Sequence, residues 1–204
     1  MNEKNTMLHD AIILFAITLI AGVLLGFVYE LTKDPIAKQE EAAKIDAYQE
    51  VFSDAASFEE VDFSKEEALA IVTEVYPKES IDEVMKALDS SGSCLGYVIT
   101  ATSNEAYDGS LQLSVGIRMD ETINGISFLK LTESAGLGME ADPVLKVQFT
   151  DRKIENFVVT KIGASATNEI DAISGATITS RAVTNAVNAS IEYFRSALGG
   201  GSNE

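Results

Sequence analysis

"CLGYVITATSNEAYDGSLQLSVGIRM", Cys94 to Met119, sets two runs of β-branched and apolar residues on either side of a polar stretch ending in glycine. "CLGYVITATS" and "SLQLSVGIRM" read as strands, with "NEAYDG" as the turn between them. The pattern continues downstream. In "DETINGISFLKL" the pair Asn124-Gly125 is a tight-turn signal into a further strand. "DPVLKVQF" reads as a short helix and "KIENFVVTKIG" as another strand. Val183, Val187, Ile191, Phe194 and Leu198 then recur at helical spacing, and Gly199 to Gly201 end that helix. The expected class is α+β: a twisted, mainly antiparallel sheet packed by helices.

Upstream of Cys94 the pattern reads as helical. "SIDEVMKALDSSG" has Ser80 as a cap, Ile81, Val84, Met85 and Leu88 on one face, and a glycine stop at Gly92. "ASFEEVDFS" reads as a short connecting turn or strand. "KDPIAKQEEAAKIDAYQEVF" reads as a helix with Asp34 as N-cap and Pro35 in the first helical position.

At the N-terminus, "AIILFAITLIAGVLLGFVY", Ala11 to Tyr29, carries no charge over nineteen residues. At about 1.5 Å per residue such a helix covers roughly the 30 Å of a bilayer core. The exit "GFVYELTKDP" lacks a small-residue cleavage site, so the segment reads as an uncleaved, single-pass anchor. Lys4 lies on one side and Lys33, Lys38 and Lys44 on the other, which mildly opposes export of the C-terminal part. The expected organisation is an anchor at residues 1–33, a mostly helical stalk and packing segment at 34–92, a folded domain at 93–198 and a flexible tail at 199–204.

The formal net charge is −17, of which residues 40–90 carry −11. Phosphate contacts need Lys and Arg, so a polyanion of this kind has no electrostatic reason to bind nucleic acid. Cys94 is the only cysteine and His9 the only histidine, and His9 precedes the apolar run of the anchor. This removes intrachain disulfides, CxxC pairs, His-based metal sites and Ser–His–Asp or Cys–His machinery from the domain. No metal site is expected.

"DAISGATITS", Asp171 to Ser180, feeds the last helix and crowds hydroxyls around Gly175 and Ala176. Two readings are open from the residues alone. Ser and Thr are favoured helix caps, so this is an ordinary capping turn. Alternatively, the unpaired N–H groups and positive end of the helix bind phosphate, with small residues admitting a bulky group.

"DAISGATITSRAV" resembles the flavinylation motif of the FMN-binding domain family, Asp-x-x-Ser/Thr-Gly-Ala-Thr followed by a residue and another Thr. Matched position by position, Thr177 is the threonine joined to the FMN phosphate as a phosphoester, with Asp171, Ser174, Gly175 and Ala176 ahead of it and Thr179 behind. The resemblance implies a phosphoprotein whose bond is made by a separate flavin transferase with FAD as donor. "TESAGLG" is similar to the family's Glu-Thr-Pro-Gly-Leu-Gly loop, which implies that Glu133, Gly136, Leu137 and Gly138 lie beside the flavin; Ser134 and Ala135 depart from the pattern. "AYDGSLQLSVGI" is similar to its Gly-Tyr-Gly-Gly entry before Val-Gly-Ile, with Tyr107, Gly109, Val115, Gly116 and Ile117 matching. Lys161, before the motif, is expected to place a positive charge near the ring; the alternative is a solvated strand-end lysine.

Within that family, the single anchor and short length look most like the G-type subunit of the Rnf ion-translocating electron transport complex. The C-type subunit of the sodium-translocating NADH:quinone reductase shares the domain, and a cofactor-free extracytoplasmic adaptor is the alternative outside the family. The resemblance implies an electron relay among integral membrane subunits, moving electrons from reduced ferredoxin to NAD with Na⁺ or H⁺ export. It also implies a flavin domain outside the cytoplasmic membrane, against the lysine count.

Overall fold

The computed structural model describes residues 3–153 and 155–199. It divides into two units, residues 1–43 and a compact unit from Lys44 onward. Helix α1 spans Glu3–Val51. In its first part the apolar side chains, Ile12, Phe15, Leu24 and Phe27 among them, are exposed all round. A helix apolar on every face is built for lipid, and this one is long and apolar enough to cross a membrane. The hydroxyls of Thr18 and Thr32 are satisfied within it, each donating to carbonyls three and four residues back.

The helix expected to start at Pro35 does not start there. Pro35 sits inside α1, so the helix runs through without a cap at Asp34. A proline within a helix removes one N–H donor and crowds the preceding turn.

The compact unit is built on an antiparallel meander in the order β1 (Ser57–Glu60), β2 (Glu79–Leu88), β3 (Cys94–Ala106), β4 (Gly109–Arg118), β5 (Thr122–Lys130), β6 (Arg152–Lys153). Helix α2 (Lys65–Thr73) links β1 to β2, and α3 (Ala141–Phe149) links β5 to β6. Two short strands, β7 (Val158–Thr160) and β8 (Glu169–Asp171), pair in parallel, and α4 (Thr177–Ala197) closes the fold. Among the described residues of "KIENFVVTKIG", Lys153 ends β6 and Val158–Thr160 form β7.

The sheet has two covered faces. On one, Ile99, Leu113, Val115 and Ile117 meet Val183, Val187 and Phe194 of α4 and Leu145 and Phe149 of α3 in one core. On the other, the end of α1 brings Tyr48, Val51 and Phe52 against Ala87 and Val98. Gly96 and Gly116 admit it: a Cβ on Gly116 would stand 3.0 Å from the Val51 Cβ, and one on Gly96 2.8 Å from the Phe52 Cζ. The Val-Gly-Ile segment thus serves the seat of α1. The unit from Lys44 takes in much of the segment expected as a helical stalk.

Two further sequence expectations fail, each because of a contact with another part of the chain. The segment with Ser80 as expected cap is strand β2, not a helix. A bulge at Asp82 interrupts its pairing with β3, between Ile81 and Glu83. The extra residue puts Ile81 and Val84 on the buried side at a spacing of three, which imitates helical periodicity. Asp82 accepts hydrogen bonds from Ser80, Thr102 and Gln112 and so pins the bulge. The turn expected at Asn124-Gly125 lies instead at Met119 to Glu121, with Glu121 at φ 63°. Asn124 is inside β5, where it accepts from the Arg118 Nε at 2.8 Å and donates to the Val51 carbonyl.

Candidate functional site

The N-terminus of α4 forms one wall of a cleft of about 420 Å³. Ala176 holds the N-cap position, and no side chain caps the helix. Ser180 Oγ donates to the Ala176 carbonyl at 2.9 Å and accepts from the Ile173 N–H at 3.0 Å. This knots the turn from inside and leaves the start of α4 without a side-chain cap. An uncapped helix start carries roughly half a positive charge and favours an anion. Thr177, the first helical residue, is half-buried and lines the cleft.

The opposite wall is the loop between β5 and α3. The Leu137 and Met139 N–H groups both donate to the Ser134 carbonyl, and Gly136 takes φ 73°, which folds the loop tightly. Glu133 is turned back on the β3–β4 hairpin, where one carboxylate oxygen accepts from the Tyr107 N–H at 2.9 Å. Its other oxygen lies against Gly138: a Cβ there would stand 2.6 Å from Glu133 Oε2 and 2.9 Å from Thr179 Oγ1. Gly175, at φ 78°, approaches the Leu137 Cδ2 so closely that a Cβ would stand 2.9 Å away. The two motifs therefore interlock, glycine against side chain, in both directions.

Of the residues expected at the site, Thr177, Gly175, Ala176, Thr179, Glu133, Leu137, Gly138 and Lys161 line the cleft, whereas Asp171, Ser174 and Gly136 do not. Asp171 acts from behind: its carboxylate accepts from the Ala164 N–H at 2.6 Å and holds the loop that follows Lys161. Ser174 is exposed in the turn. Thr179 is fully buried, and its hydroxyl faces Gly138.

Tyr107, Ser134, Ile178 and Arg181 also line the cleft, although the sequence did not mark them as site residues. Arg181 was legible, since it lies four residues after Thr177 on α4 and so on the same face. With Lys161 it sets two cations around a cleft in an otherwise acidic chain. Tyr107, Leu137 and Ile178 give the mouth an apolar rim, with Tyr107 69% exposed. A flavin mononucleotide fits this arrangement. The cleft falls within the roughly 300–1,000 Å³ of small-molecule sites, with an uncapped helix and two cations for a phosphate and apolar groups for a ring.

A family model of the FMN-binding domain matches residues 106–192, and a model of the RnfG N-terminal region matches residues 1–51. The G-type subunit of the Na⁺-translocating ferredoxin:NAD⁺ oxidoreductase complex of Acetobacterium woodii is 34% identical over 186 residues, 90% of this chain and 89% of that one. Its counterpart in the ion-translocating oxidoreductase complex of Methanosarcina acetivorans is 30% identical over 201 residues, 98% of this chain and all of that one. Among solved structures, NqrC of Shewanella oneidensis aligns over 72% of this chain and 84% of its own, at a TM-score of 0.49 and 18% identity. With its membrane helix, its antiparallel α+β unit and its FMN-binding domain, this chain belongs to the RnfG family, the G-type subunits of ion-translocating oxidoreductase complexes.

Proposed function

We propose that Thr177 carries FMN as a phosphoester and that the chain relays electrons within an ion-translocating ferredoxin:NAD oxidoreductase complex, with its flavin domain outside the cytoplasmic membrane. The observation that carries this reading is the state of Thr177. It lines the cleft at an uncapped helix start and takes no part in capping, so its hydroxyl is available. In attachment, Thr177 Oγ1 attacks the flavin-side phosphorus of FAD, the bond to the AMP half breaks, and the hydroxyl proton leaves. A threonine hydroxyl is a poor nucleophile without activation, which agrees with a dedicated flavin transferase as partner.

Bound FMN supplies the electron transfer itself. The chain supplies placement and field. The first N–H groups of α4, with Lys161 and Arg181, hold the phosphate end, and Tyr107, Leu137 and Ile178 border the ring end. Glu133 is fixed by the Tyr107 N–H, which positions its charge beside the cleft. A covalent bond prevents loss of the group to the large external volume, and the helix α1 keeps the carrier at the membrane.

Expression of the full chain with a flavin transferase tests the reading. The wild type should give a band whose flavin fluorescence survives denaturing electrophoresis, and Thr177→Ala should lose it while keeping its fold. A colourless wild type, or a fluorescent Thr177→Ala, overturns the assignment.

A further inference from the structure

Behind the cleft, where β2 begins, Glu79 is 3% exposed. Its carboxylate accepts from the buried Ser103 hydroxyl at 3.0 Å. Glu105, two residues on along β3, receives the Asn185 amide of α4. The same Ser103 hydroxyl accepts from the Glu105 N–H, and the Glu79 and Glu105 carboxyls interact directly between β2 and β3. We propose that Glu79 and Glu105 form a proton-binding site that takes up one proton from water when an electron enters the cleft, and releases it when the electron leaves.

A buried carboxyl such as that of Glu79, with a second acid at close range, does not ionise readily. The neighbours on every side deepen this. Tyr76, in the turn after α2, donates to Asn156 and feels the charges of Glu192 on α4 and of Glu79 itself. Asn185 and Asn188 of α4 are neutral, and Glu67 of α2 acts on Tyr193 instead. Burial, opposed by the Ser103 hydroxyl and reinforced by the Glu105 charge, raises the Glu79 carboxyl to about 7.

The pair is joined to the cleft along two short routes. Glu105 is two residues from Tyr107, which lines the cleft and donates to Glu133. Asn185 is one helical turn, roughly 6 Å, past Arg181, which also lines it. An electron in the cleft adds one negative charge, which favours the protonated pair; by reciprocity, the protonated pair favours reduction. At an effective dielectric of about 20, a roughly tenfold change in proton affinity is what a unit charge at about 12 Å produces. The linkage rests on the flavin reading, but the proton site does not.

Infrared titration of the full chain in detergent reads the protonated carboxyl directly. Wild type and Thr177→Ala should both lose such a band as pH passes about 7. Glu79→Gln, which keeps a partner for Ser103, should lack the band, and Glu105→Gln should move its midpoint to lower pH. In flavin-loaded wild type, reduction should raise the midpoint by about one pH unit. A band in Thr177→Ala that titrates in the ordinary carboxylate range, or survives Glu79→Gln, overturns the proton site. A midpoint unmoved by reduction in yellow protein overturns the linkage. A colourless wild type overturns the flavin reading and the linkage with it, and Thr177→Ala still decides the site.

Discussion

Gly138 and Thr179 meet without clearance: a Cβ on the glycine would stand 2.9 Å from the threonine hydroxyl oxygen. Glu133 closes the same spot from the other side, at 2.6 Å. The loop before α3 and the turn into α4 are therefore one unit, and a change at either motif is felt at both.

Gly138→Ala should cost about 1–3 kcal/mol of stability, the usual range for overpacking a tight site. It should also lower flavin occupancy, since the loop must retreat from Thr179. Thermal unfolding and the flavin-to-protein absorbance ratio check this; an unchanged ratio would mean that the loop does not shape the flavin site.

Asn188 is 4% exposed, and its amide both accepts from the Phe157 N–H at 3.0 Å and donates to the Phe157 carbonyl at 2.9 Å. Asn188→Ala leaves both backbone groups buried and unpaired, a loss of about 2–4 kcal/mol. Asn188→Asp should retain the first contact only and fall between. Denaturant unfolding of the three proteins orders them.

Lys146 bridges Glu50, near the end of α1, and Asp142 of α3 at 2.6 and 3.0 Å. Burial raises the Glu50 carboxyl, but hydrogen bonds from Lys146 and Ser127 outweigh it and hold the group below its ordinary value. A carboxyl lowered by folding stabilises above its unfolded value of 4.5 and loses that contribution as pH falls through the folded one. Glu50 is half exposed, so Lys146→Met should cost no more than about 1 kcal/mol at neutral pH, a difference that shrinks toward pH 3. A constant difference across that range would show that the bridge does not act through charge.

Glu79 has the opposite sign. Its raised carboxyl favours the folded state at low pH, and that contribution is lost as pH rises from 4.5 to about 7. The full loss is about 3 kcal/mol as an upper bound. Unfolding of Glu79→Gln should be flat over that window where the wild type declines.

A cysteine placed at Gly199 in a Cys94→Ser background tests the sidedness of the domain. In intact cells a membrane-impermeant maleimide should label it without permeabilisation. Labelling only after lysis would restore the orientation that Lys33, Lys38 and Lys44 imply.

The anchor, the hairpin of β3 and β4, and α4 were legible because each rests on local pattern: an uncharged run, alternation, and helical spacing. The intact Asp171 to Thr179 motif carried the flavin reading in the same way. The β2 segment was misread because a single bulge residue, Asp82, converts a strand's alternation into helical spacing, and a bulge is made by the pairing partner. Asn124-Gly125 was misread because Asn124 is held by Arg118 and by the Val51 carbonyl, contacts that local turn preference does not register. The sequence by itself thus determined which segments alternate or repeat apolar residues and that Thr177 lies close to the start of the last helix, whereas its place as the first helical residue came from the fold. Only the tertiary structure decided that Gly138 and Gly175 interlock the two motifs, that Ser180 rather than a motif hydroxyl secures the turn, and that Glu79 and Glu105 converge behind the cleft. Those outcomes depend on packing between residues distant in the chain, where close approach and lost solvation, not local preference, set the energy.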